Sequence, residues 1–94
     1  MTIEFDPDKD AANLAKHHVS LAFAEKIFDD VDYVILPTIR PSDGEERFKA
    51  FGSVDGKLWT VVHTFRGNKI RVISVRRSNA GEQRAYRSYS SGFE

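Results

Sequence analysis

Cysteine is absent from this 94-residue chain. Its absence excludes disulfides, thiolate nucleophiles and cysteine-ligated metals, and three histidines without a paired spacing leave a zinc site without support. No apolar run approaches the ~20 residues that a bilayer span needs, and the first residues carry no signal-peptide core, so a soluble, cytoplasmic protein without a membrane partner is expected. Neither charge sign predominates: 14 basic and 14 acidic residues give a formal net charge of zero, which taken alone argues against a nucleic-acid partner. There are no repeats, no low-complexity stretches and no interdomain linker. With room for one core only, residues 1–94 read as a single domain.

The chain is 40% hydrophobic and 30% charged, values of an ordinary globular domain. Its neutrality conceals a split. Residues 1–46 hold four basic residues against eleven acids, a net −7, whereas residues 47–94 hold ten basic residues against three acids, a net +7. Such asymmetry points to a charged partner, with the basic sheet and last helix expected on one surface and the acidic helices elsewhere.

Thr2 to Phe5 is a short β-prone start. Asp6-Pro7-Asp8 then supplies an N-cap residue, a proline suited to the first helical position and a first-turn acid, so a helix is expected from Pro7 to His17 with Lys16 at its basic end. Its apolar stripe is Ala11, Leu14 and Ala15. Ser20 can cap a second helix carrying Phe23, Ala24, Ile27 and Phe28, which Asp29-Asp30 ends. Tyr33 to Leu36 is β-prone, and Pro37 through Gly44 reads as a loop. Arg47 to Gly52, Leu58 to Arg66 and Ile70 to Val75 follow as strands, joined by turn signals at Asp55-Gly56 and Gly67-Asn68, an antiparallel meander. Period-two alternation places Trp59, Val61, His63 and Phe65 on one face and Leu58, Thr60, Val62, Thr64 and Arg66 on the other, so both faces are expected to be partly covered. Asn79 with Glu82 three residues on resembles a capping box that opens a last, basic and aromatic helix. The fold class is α+β, with two N-terminal helices and one C-terminal helix on an antiparallel sheet.

Arg66, Arg71, Arg76 and Arg77 fall on two adjacent strands, with Arg76 and Arg77 on opposite faces unless a bulge intervenes. They are either solvated strand-end charges or a phosphate clamp, since planar guanidinium groups hold phosphate bidentately and offset the charge that grows when an RNA 2′-hydroxyl attacks its own 3′-phosphate. That cleavage needs no metal and no cofactor. It needs a proton acceptor and a donor, and arginine is a poor acceptor. Glu45, Glu46, Glu82, His17, His18, His63, Lys16, Tyr86 and Tyr89 are eligible. Each also has a plain role: Glu46 as an edge charge, Lys16-His17 as partners of a helix dipole, His63 as a packed histidine, Glu82 as a cap, and Tyr86 and Tyr89 packed on the sheet in place of stacking on bases.

Taken in order, the blocks FDPDKDAANLAKHHVSLAFA (Phe5 to Ala24), FDD (Phe28 to Asp30), DGEERFKAFG (Asp43 to Gly52) and IRVISVRR (Ile70 to Arg77), followed by Asn79, Glu82 and Tyr86, resemble the BrnT-type toxins of type II toxin–antitoxin systems. The resemblance implies a RelE-like α+β ribonuclease that cuts RNA without metal. It further implies neutralisation by a BrnA-type ribbon-helix-helix antitoxin, in a heterotetramer that binds promoter DNA through the antitoxin. The family's Lys-His pair falls on Lys16 and His17, its Glu-Arg segment on Glu46 and Arg47, and its strand-end arginines on Arg76 and Arg77 with Arg66 as companion. Arg47, Arg71 and Tyr86 are then expected to bind RNA. Three positions depart from the family pattern: His18 stands where glycine is usual, Val75 where alanine is usual, and His63 near a common tyrosine. The first removes a residue that tolerates positive φ, so a different turn is expected there. The alternative reading is a non-catalytic nucleic-acid or partner-binding module, a decayed toxin that retains its antitoxin surface.

Overall fold

The computed structural model describes residues 2–38 and 46–90. Most of the loop expected over Pro37 to Gly44, together with Glu45 and the tail from Ser91, lies outside them.

The chain runs β1 (Thr2–Glu4), α1 (Pro7–His17), a 3₁₀ turn (Leu21–Phe23), α2 (Ala24–Phe28), β2 (Val34–Pro37), β3 (Phe48–Val54), β4 (Lys57–Arg66), β5 (Lys69–Arg77) and α3 (Ala80–Ser90). The sheet order is β1-β5-β4-β3-β2. It is a mixed sheet, which corrects the antiparallel expectation: β2 to β5 form the meander, but β1 lies parallel to β5, with Ile3 opposite Ile70. A three-residue strand paired across most of the chain leaves no local turn signal from which its direction could be read.

Local chemistry explains the element ends. Asp6 accepts a hydrogen bond from the Asp8 N–H at 2.8 Å with Pro7 at the first helical position, so the expected cap opens α1. At the other end His18 adopts φ 62° and ψ 29°, and its N–H closes onto the Leu14 carbonyl at 2.9 Å. At this turn, where the family pattern has glycine, a histidine takes the left-handed conformation. Asp55 (φ 52°) and Gly56 (φ 79°) form the β3–β4 hairpin turn, and Gly67 (φ 62°) opens the β4–β5 turn, as the dipeptide signals predicted.

Leu21, Ala24, Ile27, Ala50, Val61, Ile70, Val72 and Val75 form the core between the sheet and the helical segment from Leu21 to Phe28. Gly52 on β3 lets α2 lie close, because a Cβ there would sit 2.5 Å from the Ile27 carbonyl oxygen. The opposite face is covered in part by α3, whose Glu82 bonds Thr60.

The apolar stripe of α1 does not face this core. Leu14 is 52% exposed and Ala11 and Ala15 are exposed, whereas Asn13 is buried. The inward side is polar because it has backbone to satisfy. Asn13 donates to the Val75 carbonyl at 2.9 Å and accepts from the Val75 N–H at 3.1 Å, the two bonds a further strand would make on the edge of β5 beyond the end of β1. Asp10, one turn earlier, accepts from Ser20 Oγ at 2.9 Å and the Leu21 N–H at 2.7 Å and so fixes the 3₁₀ turn.

Candidate active site

One residue of β5 is extra. Val62 pairs with Ser74 but His63 pairs with Val72, so Ile73 forms a β-bulge. Without it, Arg71 and Arg76, five positions apart, would lie on opposite faces. With it, Arg71 (opposite Thr64) and Arg76 (opposite Thr60) share the α3 face, together with Arg66 on β4 and with Arg47 and Lys49 by the alternation of β3. Arg84 and Arg87 of α3 add to the same side, while Asp8, Asp10, Glu25 and Asp29 ride on or beside α1 and α2 across the sheet. The α3 face thus gathers basic residues of the second half of the sequence, with Glu4 and Glu82 paired among them.

The candidate residues fall into two groups. In the first, α1 brings Lys16 and His17 to the free edge of β5, where they line a cleft of about 230 Å³ with Lys9, Ala12, Asn13, Ile73 and Ser74. His17 titrates below the ordinary histidine value through partial burial and then the positive charges of Lys16, Arg76 and His18. Arg76 is gripped by Glu82, Nη1 to Oε1 and Nη2 to Oε2, both at 2.8 Å. Glu82 also accepts from Thr60, from Lys49 and from the Asn79 N–H, while its own N–H bonds Asn79 Oδ1, the reciprocal capping box. Burial pushes the Glu82 carboxyl up, but Arg76, Asn79 and Thr60 outweigh it and hold the group at about 2, far too acidic for a proton acceptor.

In the second group, Glu46, Arg47 and Arg66 gather near the β4–β5 hairpin, where Thr64 Oγ1 donates to the Glu46 carbonyl at 2.7 Å. Glu46 and Arg47 line a smaller hollow of about 110 Å³ with Pro37 and Thr38. Arg66 lies six residues along β4 from Thr60, which is opposite Arg76, and Thr64, which holds Glu46, lies four, so at ~3.3 Å per residue the second group stands about 13 to 20 Å from Arg76. Arg71, opposite Thr64, stands level with Glu46 and pairs with Glu4 at 3.5 Å.

Two residues stand apart from both groups. Arg77 points to the α2 side, its guanidinium 5.4 Å from the centroid of Trp59 and its Nε bonded to the Leu58 carbonyl. Tyr86 donates to Asp30 Oδ2 at 2.6 Å and is pushed up to about 12 by burial and by that carboxylate, so its hydroxyl ties α3 to the end of α2. His63, the histidine read as a packed residue, is fully buried against Phe28, Phe48 and Phe65, with Nε2 unbonded. Among the described residues, no three His, Cys, Asp or Glu side chains are grouped to hold a metal ion, and no helix is long and apolar enough to cross a membrane.

Residues 5–82, which contain both groups, match the family described as "Ribonuclease toxin, BrnT, of type II toxin-antitoxin system". The chain belongs to this family. No curated protein matches it. Membership of the BrnT family makes this chain a ribonuclease toxin, with RNA as its target and an antitoxin as its partner. Sequence reasoning about this BrnT chain missed two positions, Asn13 and the Arg76 side of Glu82. The only signal for Asn13 was a polar residue inside a short apolar helix; for Glu82 it was a capping pattern that concealed a second role.

Proposed function

We propose that the chain is a cytoplasmic, metal-independent endoribonuclease on one RelE-like domain, which cuts RNA through attack of a 2′-hydroxyl on the adjacent 3′-phosphate. The observation that carries this reading is the cleft in which Lys16 and His17 of α1 meet Ile73 and Ser74 of β5, two residues along the strand from Arg76. His17 is kept neutral near pH 7 and accepts the 2′-hydroxyl proton. The 2′-oxygen bonds to phosphorus, the bond to the 5′-oxygen breaks, and Lys16 protonates that leaving oxygen, giving a 2′,3′-cyclic phosphate and a 5′-hydroxyl. Arg76 offsets the charge on the non-bridging oxygens. Arg47, Arg66 and Arg71 share its face and hold flanking phosphates, and Arg77 contacts the strand as it passes the end of β5. Glu46, about 13 Å along the sheet from Arg76, acts on RNA binding and not on the protons at the cleft. Tyr86 orients α3 and does not stack on a base. Family membership supports a BrnA-type ribbon-helix-helix antitoxin and a heterotetramer that binds promoter DNA through it.

Cleavage of an RNA oligonucleotide by the purified chain tests this. Arg76→Ala and His17→Ala should each lose about a hundredfold in rate, and the parental rate should fall only below pH 6.5, as His17 becomes charged. Variants that arrest bacterial growth as strongly as the parent, or continued cutting at a 2′-deoxy nucleotide, would sink the reading.

A further inference from the structure

A guanidinium carries five N–H donors in a rigid plane, arranged so that two separate edges can each hold an anion through two parallel bonds. On Arg76, Glu82 fills the edge formed by Nη1 and Nη2, and the remaining Nη1–H reaches the Arg77 carbonyl at 3.4 Å. Among the described residues, the Nε–H and the second Nη2–H, the other parallel pair, make no hydrogen bond. Glu82 is itself immobile: its side chain is 7% exposed, and Thr60 Oγ1, Lys49 Nζ and the Asn79 N–H bond its two oxygens at 2.9, 3.2 and 2.9 Å.

We propose that Glu82 is a positioning residue that fixes the Arg76 guanidinium through one edge so that its free edge is presented to the scissile phosphate. The proposal rests on the reading of Arg76 as a phosphate clamp. An unheld arginine would have to freeze its side-chain torsions when RNA binds, whereas Glu82 has frozen them in the free protein. One carboxylate thus both caps α3 and aims the arginine.

The test is a double-mutant cycle on single-turnover cleavage of an RNA oligonucleotide. Glu82→Gln should slow the parental chain about tenfold or more with little change in RNA affinity, yet add nothing in an Arg76→Ala background. Arg76→Lys preserves an ion pair with Glu82 but has no second edge, so it should be folded and as slow as Arg76→Ala. Asn79→Ala removes the cap while leaving the pair with Arg76, and should lower the melting temperature without slowing cleavage. Equal losses from Glu82→Gln in both backgrounds, or an unimpaired Arg76→Lys or Glu82→Gln, overturn the proposal alone. Full activity of Arg76→Ala overturns the phosphate-clamp reading and this proposal with it.

Discussion

Asn13 pairs with Val75 as a neighbouring strand would, one carboxamide matching both backbone groups of one residue across 62 positions of sequence. The same carboxamide donates to the Val19 carbonyl at 2.9 Å, so α1, the turn after it and β5 meet on one side chain.

Asn13→Ala leaves the buried Val75 N–H and carbonyl unsatisfied and should lower unfolding stability by about 3 kcal/mol. Asn13→Asp should cost at least as much at neutral pH, because a carboxylate cannot donate to the Val75 carbonyl. Urea denaturation of both variants checks this; a loss below about 1 kcal/mol would show that α1 is held by something else.

His18 holds a left-handed conformation that glycine adopts without steric cost. His18→Gly should therefore stabilise the chain by about 1 kcal/mol and raise its melting temperature by about 5 °C. A calorimetric scan decides it, and a lowered midpoint would mean that the imidazole contributes more than the backbone strain removes.

Burial holds the His63 imidazole below its ordinary value of 6.5 against the hydrogen bond of the Val61 carbonyl, among the rings of Phe28, Phe48 and Phe65. The unfolded state therefore binds a proton that the native state refuses. Stability is fully present above pH 6.5 and falls as pH drops below it, by at most about 1.4 kcal/mol per pH unit from this group. Glu82 and Asp30, whose carboxyls sit below their ordinary values, lose their contributions only at lower pH and leave the window from 5 to 6.5 to the histidines. Unfolding measured at pH 7 and pH 5 should show most of the difference removed in His63→Phe. An unchanged difference would assign it to His17.

Much of this fold is legible wherever one residue governs one local geometry. Asp6-Pro7 opens α1, Asp55-Gly56 turns the hairpin, and Asn79 with Glu82 caps α3, because each signal acts within four residues. What escapes such reading is set by distant partners. The parallel β1 depends on the far end of the chain; the polar inner side of α1 depends on an edge of β5 that only the folded sheet exposes. The candidate site divides along the same line. Counting by twos separates Arg76 from Arg77 correctly, but the bulge at Ile73, which brings Arg71 and Arg76 to one face, has no marker in the run IRVISVRR.

The arrangement of charge across the sheet has a consequence for how this protein meets a polyanion. A body with no net charge feels little pull beyond a Debye length of roughly 8–10 Å; one whose two sides differ in sign feels a torque once inside it. The nucleic acid then sorts orientations before it contacts any particular arginine. Approaches led by α3, the open sheet and the basic last turn of α1 should therefore be favoured over those led by the acidic first turn of α1, so selectivity begins with the direction of arrival.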